Sequence, residues 1–363
     1  MTTAKGAVLY EYNKPVKVQE VELPEPGPGL VLVKMMSSGV CHSDWHVVKG
    51  EWPSVPMPTV LGHEGAGVVE EVGQGVTTVK KGDHVILSWM PQCRVCEMCV
   101  KGFPQVCLNP VRMTTQATVK GSNDKVHMLS GLGTMATYNL VTEAAAVPVD
   151  KAMPFEQASL IGCGVATGVG AAINTAQVQP GSTVAVFGAG GVGISVIQGA
   201  RIAGASMIIS VDMLDNKLQM AKEFGATHTV NPKAGDAVAK IKELTGGLGV
   251  HYAFEAIGLV EGPFVQAIEA TRNRGVTTWV GHSPEGLMLN ISARALMMEK
   301  TIIGSMYGSS RPHVDFPRLV SLYQTGQLKL DEFITKRFSL NQVNEAFAAL
   351  GSGQVARSVL TLA

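Results

Sequence analysis

Four of the six cysteines fall within fifteen residues, at Cys93, Cys96, Cys99 and Cys107. A chain of 363 residues can bury a large core without disulfide bonds, so this cluster favours metal binding over oxidation. Four thiolates complete a tetrahedral zinc site with no open position, which makes such a site structural. An iron–sulfur cluster and a dithiol redox pair are the alternatives that this spacing permits. Because a closed site has no place for a reactant, we expect any catalysis to occur elsewhere.

The other two cysteines, Cys41 and Cys163, are far apart, and His63 lies between them in the glycine-rich segment 62–67. Two thiolates and one imidazole leave a fourth metal position open to water or a reactant, as in catalytic zinc sites. Asp44, close to Cys41, could accept a hydrogen bond from the His63 ring and fix its tautomer. Two buried cysteines and a core histidine are the alternative, because one sequence cannot pair ligands that are so distant.

A glycine-rich turn follows the apolar run 183–187 and opens an apolar helix. Its pattern is G-x-G-x-x-G, with Gly188, Gly190, Gly191 and Gly193. The first glycine permits a sharp turn, the second admits a pyrophosphate, and the last lets helix and strand pack closely. Asp212 lies 22 residues beyond Gly190, where its carboxylate can bind both adenosine ribose hydroxyls and repel a 2′-phosphate. The pattern therefore favours NAD over NADP, and a glycine-rich turn that binds no nucleotide is the alternative.

The pattern of apolar residues divides the chain into two halves. Residues 6–90 consist of short strands broken by Gly and Pro, which predicts an all-β barrel, and residues 108–132 predict an irregular surface lobe. From about residue 165, strands alternate with amphipathic helices, which predicts βαβ units and a parallel sheet. The predicted strands are 183–187, 207–211, 227–230, 251–255 and 276–280, and the predicted helices are 191–203, 215–224, 235–245 and 262–272.

Composition excludes several classes of protein. Lys+Arg and Asp+Glu are equal at 29 each, so no basic excess indicates a nucleic-acid partner. Residues 1–6 have no apolar stretch of a secretory signal, and the apolar run 184–194 contains too many glycines for a membrane span. We therefore expect a cytoplasmic protein with no membrane or nucleic-acid partner, and about 150 residues per domain suggests two domains.

Six motifs in order give the chain a resemblance, over essentially its whole length, to the zinc-containing medium-chain alcohol dehydrogenases. They are segments 39–44 and 62–67, the four-cysteine cluster, segment 162–168, the Gly188–Gly193 loop with Asp212, and Ser352-Gly353 followed by Arg357. The resemblance implies an α/β fold with a GroES-like β-barrel catalytic domain and a Rossmann coenzyme domain with a doubly wound parallel sheet. It implies residues 1–164 and 307–363 for the first domain and 165–306 for the second.

The resemblance also implies roles for individual residues. Cys41, His63 and Cys163 match catalytic zinc ligands, Glu64 matches a carboxylate that approaches the metal during ligand exchange, and Ser43 and His46 match a proton relay. The cofactor contacts that it implies are His42 and Arg357 at the pyrophosphate, Lys217 at the ribose, and Thr167 and Val192 around the nicotinamide. Trp52 and Trp89 match positions that line the substrate pocket. Two zinc ions per subunit, one catalytic and one structural, and NAD follow from these matches.

Departures from the family pattern concern the substrate. Glutathione-dependent formaldehyde dehydrogenases resemble the chain around Cys41 but carry an acidic residue where Trp52 stands and an aromatic where His46 stands. Two tryptophans suggest an apolar alcohol, with aromatic and allylic alcohols as candidates. A thiol-adduct-dependent formaldehyde dehydrogenase and a nicotinoprotein that keeps its NAD remain the alternative functions. A fold without turnover and a zinc-independent reductase are rivals from other classes.

The length of segment 108–132 resembles that of dimeric members of the family, so we expect a homodimer, with a homotetramer as the alternative. The implied partner is otherwise a small-molecule alcohol or aldehyde.

Overall fold

The structure is a computed structural model that describes residues 1–113, 117–284, 286–353 and 355–362. Its contacts divide the chain into two compact units, the first comprising residues 1–163, 311–326 and 330–363, and the second comprising residues 164–310 and 327–329. The predicted limits of two separately folding domains stay a prediction.

The first unit is built mainly from antiparallel strands. Its strands are β1 (Thr2–Leu9), β2 (Lys17–Leu23), β3 (Leu30–Val40), β4 (Thr59–Val60), β5 (Gly65–Val72), β6 (His84–Leu87), β7 (Ala117–Val119), β8 (Lys125–Met128), β9 (Tyr138–Thr142), β10 (Ala146–Val149), β17 (Ile334–Ser339) and β18 (Arg357–Thr361). Its helices are α1 (His42–Val48), α2 (Glu97–Val100), α3 (Phe155–Leu160), α10 (Pro312–Gln324) and α11 (Val343–Gly351).

Two sheets share this unit. Strands β1, β2, β7, β8 and β4 close a small barrel, and a second sheet has the order β10-β6-β5-β3-β18-β17, with β9 also paired to β3. Buried Val and Leu side chains of β1, β3, β5 and β6 form the main core with the apolar face of α11. The prediction of an irregular lobe at 108–132 is wrong in part, because this segment contains β7 and β8, which complete the barrel. Residues 114–116 of the segment lie outside the described residues. These strands are only three and four residues long and carry polar residues, so they lack a clear apolar pattern.

The second unit contains a parallel six-stranded sheet with the order β13-β12-β11-β14-β15-β16. The strands are β11 (Thr183–Phe187), β12 (Met207–Val211), β13 (His228–Val230), β14 (Val250–Glu255), β15 (Thr271–Trp279) and β16 (Thr301–Gly304). The helices are α4 (Ala166–Gly170), α5 (Gly191–Ile202), α6 (Asp215–Glu223), α7 (Ala237–Leu244), α8 (Glu261–Ala270) and α9 (Ala293–Met297). The predicted α/β class with a barrel and a doubly wound sheet is confirmed.

All five strands and four helices predicted for this half are present. Their ends shift by at most three residues, except that β15 begins at Thr271, five residues before the predicted strand 276–280. The sixth strand, β16, was not predicted, because it has only four residues and its side chains are largely exposed. One helical segment, Phe155–Thr175, is long and apolar enough to cross a membrane, but 83% of its most apolar window is buried inside the protein. A core helix of a water-soluble protein has this property.

Candidate active site

In the larger sheet of the first unit, three strands have one terminus at the same end of the sheet. Strand β3 ends at Val40, so Cys41 follows it directly, and the antiparallel β5 begins at Gly65, directly after His63 and Glu64. Strand β18 is antiparallel to β3 and begins at Arg357, beside the end of β3. The sheet register therefore brings residues that are far apart in sequence to one place.

Two glycines allow the close packing at this edge. A Cβ atom on Gly162 would lie 3.0 Å from the carbonyl oxygen of Leu87, which is a tight contact, and 3.6 Å from the Cα of Glu64, so glycine suits the close approach of this turn to the sheet. Cys163 comes next, in a π-helical turn, Ile161–Val165, which continues α3. A Cβ on Gly39 would lie 3.1 Å from the Cβ of Glu64. Side chains at either position would push the cluster apart.

Cys41, His63, Glu64 and Cys163 form a cluster whose ligand atoms all lie within 4.8 Å of one another. Cys41, His63 and Glu64 are 7%, 4% and 0% exposed, and Cys163 is partly buried. Two thiols, one imidazole and one carboxyl in so small a volume match the donor atoms that zinc prefers. The residues that the sequence suggested as a second metal site are therefore brought together.

Asp44 holds the imidazole of this cluster in place. One of its carboxylate oxygens accepts a hydrogen bond from the Gly62 backbone N–H at 2.8 Å, and the Nδ1 atom of His63 lies 3.3 Å from the carboxylate. The Asp44 side chain is fully buried. The other ring nitrogen, Nε2, is buried and has no hydrogen-bond partner within the described part of the chain. A buried nitrogen without a hydrogen-bond partner, facing a cluster of thiols, fits a metal ligand.

The electrostatics of this cluster favour a positive charge at its centre. Burial lowers the pKa of His63, but Asp44 and Cys41 outweigh burial and raise this pKa to about 10. A hydrogen bond from Cys163 lowers the pKa of Cys41 well below its usual range, although burial opposes this effect. Since a metal must displace the ring proton, the same negative groups that attract this proton would attract a divalent cation.

Glu64 forms a buried ion pair with the Arg357 guanidinium, although the two residues are 293 positions apart. The side chains are 0% and 6% exposed, so neither charge is compensated by bulk water. The family resemblance implies two separate roles for these residues, and the structure places them in direct contact.

The four-cysteine loop of the first unit has the dimensions of a single tetrahedral site. The Sγ atoms of Cys93 and Cys99 are 3.9 Å apart, and those of Cys96 and Cys107 are 3.8 Å apart. Sulfur atoms about 2.3 Å from one central ion form a tetrahedron with edges of about 3.8 Å. Backbone N–H groups lower the pKa of Cys93 and lower that of Cys96 to about 6, which favours their thiolate forms. All six cysteines of the chain are free thiols.

The predicted relay residues lie on α1. Ser43 and His46 are three positions apart, so they share a face of this helix, and both are partly buried. The Nδ1 atom of His46 contacts the carboxylate of Glu51, and its ring stacks on Trp52 with centroids 5.8 Å apart. Glu51 was not singled out from the sequence, although a glycine directly before it, at the end of a helix, is a signal for a cap.

The glycine-rich loop of the second unit joins β11 to α5. Gly188 has a φ of +95°, which favours glycine. A Cβ atom built on Gly190 would have no described atom beyond its chain neighbours within 4 Å, so the backbone is open to a ligand there. Oδ2 of Asp212 accepts a hydrogen bond from Ala189 N–H at 2.8 Å, and Oδ1 accepts one from Leu214 N–H at 3.0 Å. The carboxylate is therefore fixed beside the loop, at the end of β12.

The other predicted residues are distributed over both units. In the second unit, Thr167 is partly buried on α4, Val192 lies in the first turn of α5, and Lys217 is partly buried on α6. In the first unit, His42 is exposed at the start of α1, 6.4 Å from the ring of His46. Trp52 and Trp89 both pack against the main core of that unit.

Two family profiles match the chain, the Alcohol dehydrogenase GroES-like domain over residues 27–151 and the Zinc-binding dehydrogenase over residues 191–325. The chain belongs to the zinc-containing alcohol dehydrogenases of the medium-chain superfamily. It is 40% identical over 368 residues to "Putative alcohol dehydrogenase D" of Mycobacterium tuberculosis, with 99% of each chain covered.

Solved structures agree with this membership. Benzyl alcohol dehydrogenase from Acinetobacter calcoaceticus is 34% identical, with a TM-score of 0.93 and 100% of both chains covered. A zinc-binding dehydrogenase from Sinorhizobium meliloti, bound to NADP, is 27% identical, with a TM-score of 0.82 and 99% and 100% of the two chains covered.

Proposed function

We propose that this alcohol dehydrogenase uses one catalytic zinc ion to transfer a hydride between an apolar alcohol and NAD. The observation that carries the proposal is the buried Cys41–His63–Cys163 cluster, with Asp44 bound to the outer nitrogen of its imidazole. A scaffold protein has no need of this set of groups, and a zinc-independent reductase of the same fold does not need the ligands.

Zinc fits both cysteine-containing clusters. Cys41, His63 and Cys163 would hold the catalytic ion, with Glu64 close enough to approach it, and Cys93, Cys96, Cys99 and Cys107 would hold the structural ion. When bound, the catalytic ion acts as a Lewis acid that lowers the pKa of a hydroxyl group.

The chain's own residues then handle the proton of the alcohol. Ser43 accepts the hydroxyl proton as it releases its own hydroxyl proton toward His46, which lies on the same face of α1. Histidine suits the outer end of the relay, because it binds and releases protons near neutral pH. Asp44 keeps the His63 ring in the orientation that directs Nε2 at the two thiols.

Asp212 supports NAD as the cofactor. Its carboxylate is held by two backbone N–H groups, and a 2′-phosphate would meet this fixed negative charge. The next two residues, Met213 and Leu214, are exposed and apolar, so they offer no cation to a phosphate. We propose Gly188, Gly190, Gly191 and Gly193 at the pyrophosphate, with His42 and Arg357. Thr167 and Val192 are proposed around the nicotinamide, and Lys217 at the ribose.

Trp52 and Trp89 support an apolar substrate, and the similarity to a benzyl alcohol dehydrogenase favours an aromatic alcohol. Both rings are partly buried against one core, so they are rigid enough to shape a pocket.

A homodimer in the cytoplasm is the proposed state. Strand β16 is an outer strand of the parallel sheet, and its own Ile303 is exposed. Met297, Met298 and Met306, in the segments that flank it in sequence, are exposed as well. An edge strand with apolar neighbours is suited to pair with a second copy. Ile303→Lys should then give a monomer in sedimentation analysis, and an unchanged mass would contradict this interface.

The test of the function is an alcohol screen with NAD and with NADP, in which reduced cofactor and zinc content are measured on the same samples. We expect two zinc ions per chain, turnover of benzyl-type alcohols with NAD, and loss of turnover after chelation. Turnover that survives chelation would exclude the zinc mechanism. Turnover only with an artificial electron acceptor would identify a nicotinoprotein, and turnover only of formaldehyde with a thiol would identify the adduct-dependent enzyme.

One substitution tests the preference for NAD over NADP. Asp212→Ser removes the charge that would repel a 2′-phosphate, so the ratio of kcat/KM for NAD to that for NADP should fall by about tenfold or more. An unchanged ratio would show that Asp212 does not select the cofactor.

A further inference from the structure

Helix α1 ends in a turn that fixes the position of the residue after it. Gly50 has a φ of +72°, and its N–H donates to the carbonyl of Val47 at 3.0 Å, while the N–H of Glu51 donates to the carbonyl of His46 at 2.9 Å. This pair of hydrogen bonds with a left-handed glycine defines a Schellman cap. The cap folds the chain back over the last turn of the helix, so Glu51 comes to lie beside His46.

Such a cap usually brings two apolar side chains together, but here it brings a carboxylate to an imidazole. The Glu51 carboxylate contacts the Nδ1 atom of His46. The two side chains differ in exposure, since His46 is 12% exposed and Glu51 is 52% exposed. One end of the pair is thus inside the protein and the other is in water.

Neighbouring segments hold this turn in place. The Asn13 N–H donates to the carbonyl of Val48 at 2.6 Å, and its side-chain amide donates to the carbonyl of Lys49 at 3.2 Å. The Tyr12 hydroxyl donates to the carbonyl of Val55 at 2.9 Å, beyond the turn. Trp52, the next residue after Glu51, stacks on the His46 ring at 5.8 Å. These contacts fix the backbone on both sides of Glu51 and the ring of His46, so the geometry of the Glu51–His46 pair is defined by the fold.

We propose that Glu51 is a positioning residue for the proton relay, one that fixes the tautomer of His46 and leads its proton to solvent. This inference rests on the proposed function. An ionised carboxylate can only accept a hydrogen bond, so Nδ1 must carry the hydrogen of the neutral ring and Nε2 must be the acceptor. Nε2 takes the proton that leaves the alcohol, the ring becomes a cation beside an anion, and Nδ1 then releases its proton through the exposed carboxylate to water.

The first experiment reads the tautomer directly. Nitrogen-15 NMR of the histidine rings, with the His46 signals assigned from His46→Gln, should show Nδ1 protonated in the wild type. In Glu51→Gln the neutral amide can donate as well as accept, so the ring should move toward a mixture of tautomers. A ring protonated at Nε2 in the wild type, or one that Glu51→Gln leaves unchanged, would overturn the proposal. This readout does not require turnover, so it separates failure of the pair from failure of the proposed function.

The second experiment tests whether Glu51 acts through His46. Glu51→Gln should lower kcat about tenfold and leave KM within about twofold. The estimate takes the low end of the about 10- to 100-fold contribution of partners that orient metal-binding histidines, because Glu51 orients His46 in the same way. In the His46→Gln background the same change should have no further effect. A loss of equal size in both backgrounds would assign Glu51 a purely structural role. Glu20→Gln, which breaks an exposed ion pair to Lys120 of 2.8 Å elsewhere in the first unit, is the matched control and should leave kcat unchanged.

Discussion

At the scale of the residue, Asp44 connects the metal-binding cluster to the backbone of the first unit. Its carboxylate binds the N–H of Gly62 at 2.8 Å and lies 3.3 Å from the ring of His63. The charge of Asp44 contributes to the raised pKa of His63, so it makes the ring a stronger base toward a proton or a metal ion, and it also fixes the orientation of the ring. The residue therefore prepares the ligand without being a ligand itself.

Ser43 is the relay residue closest to the reactant in the proposed mechanism. Ser43→Ala removes the hydroxyl that accepts the first proton, so kcat should fall by at least about 100-fold. Zinc content should stay at the wild-type value, because Ser43 is outside both ligand sets. Steady-state kinetics and metal analysis on the same preparation check both expectations.

Ser43→Thr provides the matched control for this prediction. It keeps a hydroxyl group at the same position, so most of the turnover should return. If Ser43→Ala turns over normally, the hydroxyl is not part of the relay.

Residue roles could be predicted where the partners are close in sequence or match a family motif. Asp44 could be paired with His63 from the sequence, because Asp44 lies three residues after the candidate ligand Cys41 and His63 is a candidate ligand of the same site. The contact between Glu64 and Arg357, which are 293 positions apart, could not be predicted, because it depends on the pairing of β18 with β3. Glu51 was missed for another reason: its position depends on the backbone of the cap rather than on residue type.

At the scale of the element, the four-cysteine loop has little regular structure to hold it. It contains α2, which has only four residues, and a short 3-10 turn, Pro104–Val106. Val95, Val100, Phe103 and Leu108 in this loop are exposed, so apolar burial contributes little to its stability. We therefore expect a metal ion, rather than a core, to keep the loop folded.

Cys107→Ser tests this expectation. Zinc content should fall by one ion per chain, and the midpoint of thermal unfolding should drop by at least about 5 °C, because 1 kcal/mol corresponds to about 2–4 °C in a domain of this size. Metal analysis and calorimetry measure the two effects.

The control for this prediction compares the wild type with Cys107→Ser after zinc has been removed from both. After chelation, the wild type and Cys107→Ser should unfold at the same temperature. A difference that persists without metal would mean that the Cys107 side chain stabilises the loop by packing.

Elements with strong local patterns were predicted well, and short polar ones were not. Strands β11 and β12 have the predicted bounds, since they are apolar runs between turn residues. Strands β7, β8 and β16 have three or four residues, and their pairing with neighbouring strands defines them more than their own sequence does. Sequence reasoning finds an element when its stability is local.

At the scale of the whole molecule, three histidines make folding sensitive to acid. Burial lowers the pKa of His84, His251 and His313 below the usual range. At His251 the positive charge of Arg272 adds to this effect, and its guanidinium lies 2.7 Å from the Nε2 atom. The unfolded chain binds protons at these rings near pH 6.5, before the folded chain does. The contribution of these three rings to the free energy of unfolding is therefore complete above about pH 6.5 and falls as the pH decreases.

Urea unfolding at pH 7.5 and pH 5.5, with zinc present, measures this dependence. His251→Gln removes one of the three groups, so the difference between the two pH values should be smaller than in the wild type. An equal or larger difference in the variant would assign the acid sensitivity to other groups.

The strand order of the first unit has a consequence for the chain as it leaves the ribosome. All seven candidate zinc ligands precede residue 164, so both clusters are translated before any of the parallel sheet exists. Strand β18, which lies between β3 and β17, follows the whole parallel sheet in the chain. Until it emerges, the nascent polypeptide exposes part of an unpaired β3 edge and a Glu64 carboxylate that lacks its arginine. Metal loading can therefore begin early in synthesis, whereas protection against misassembly waits for a strand that is translated after the whole parallel sheet.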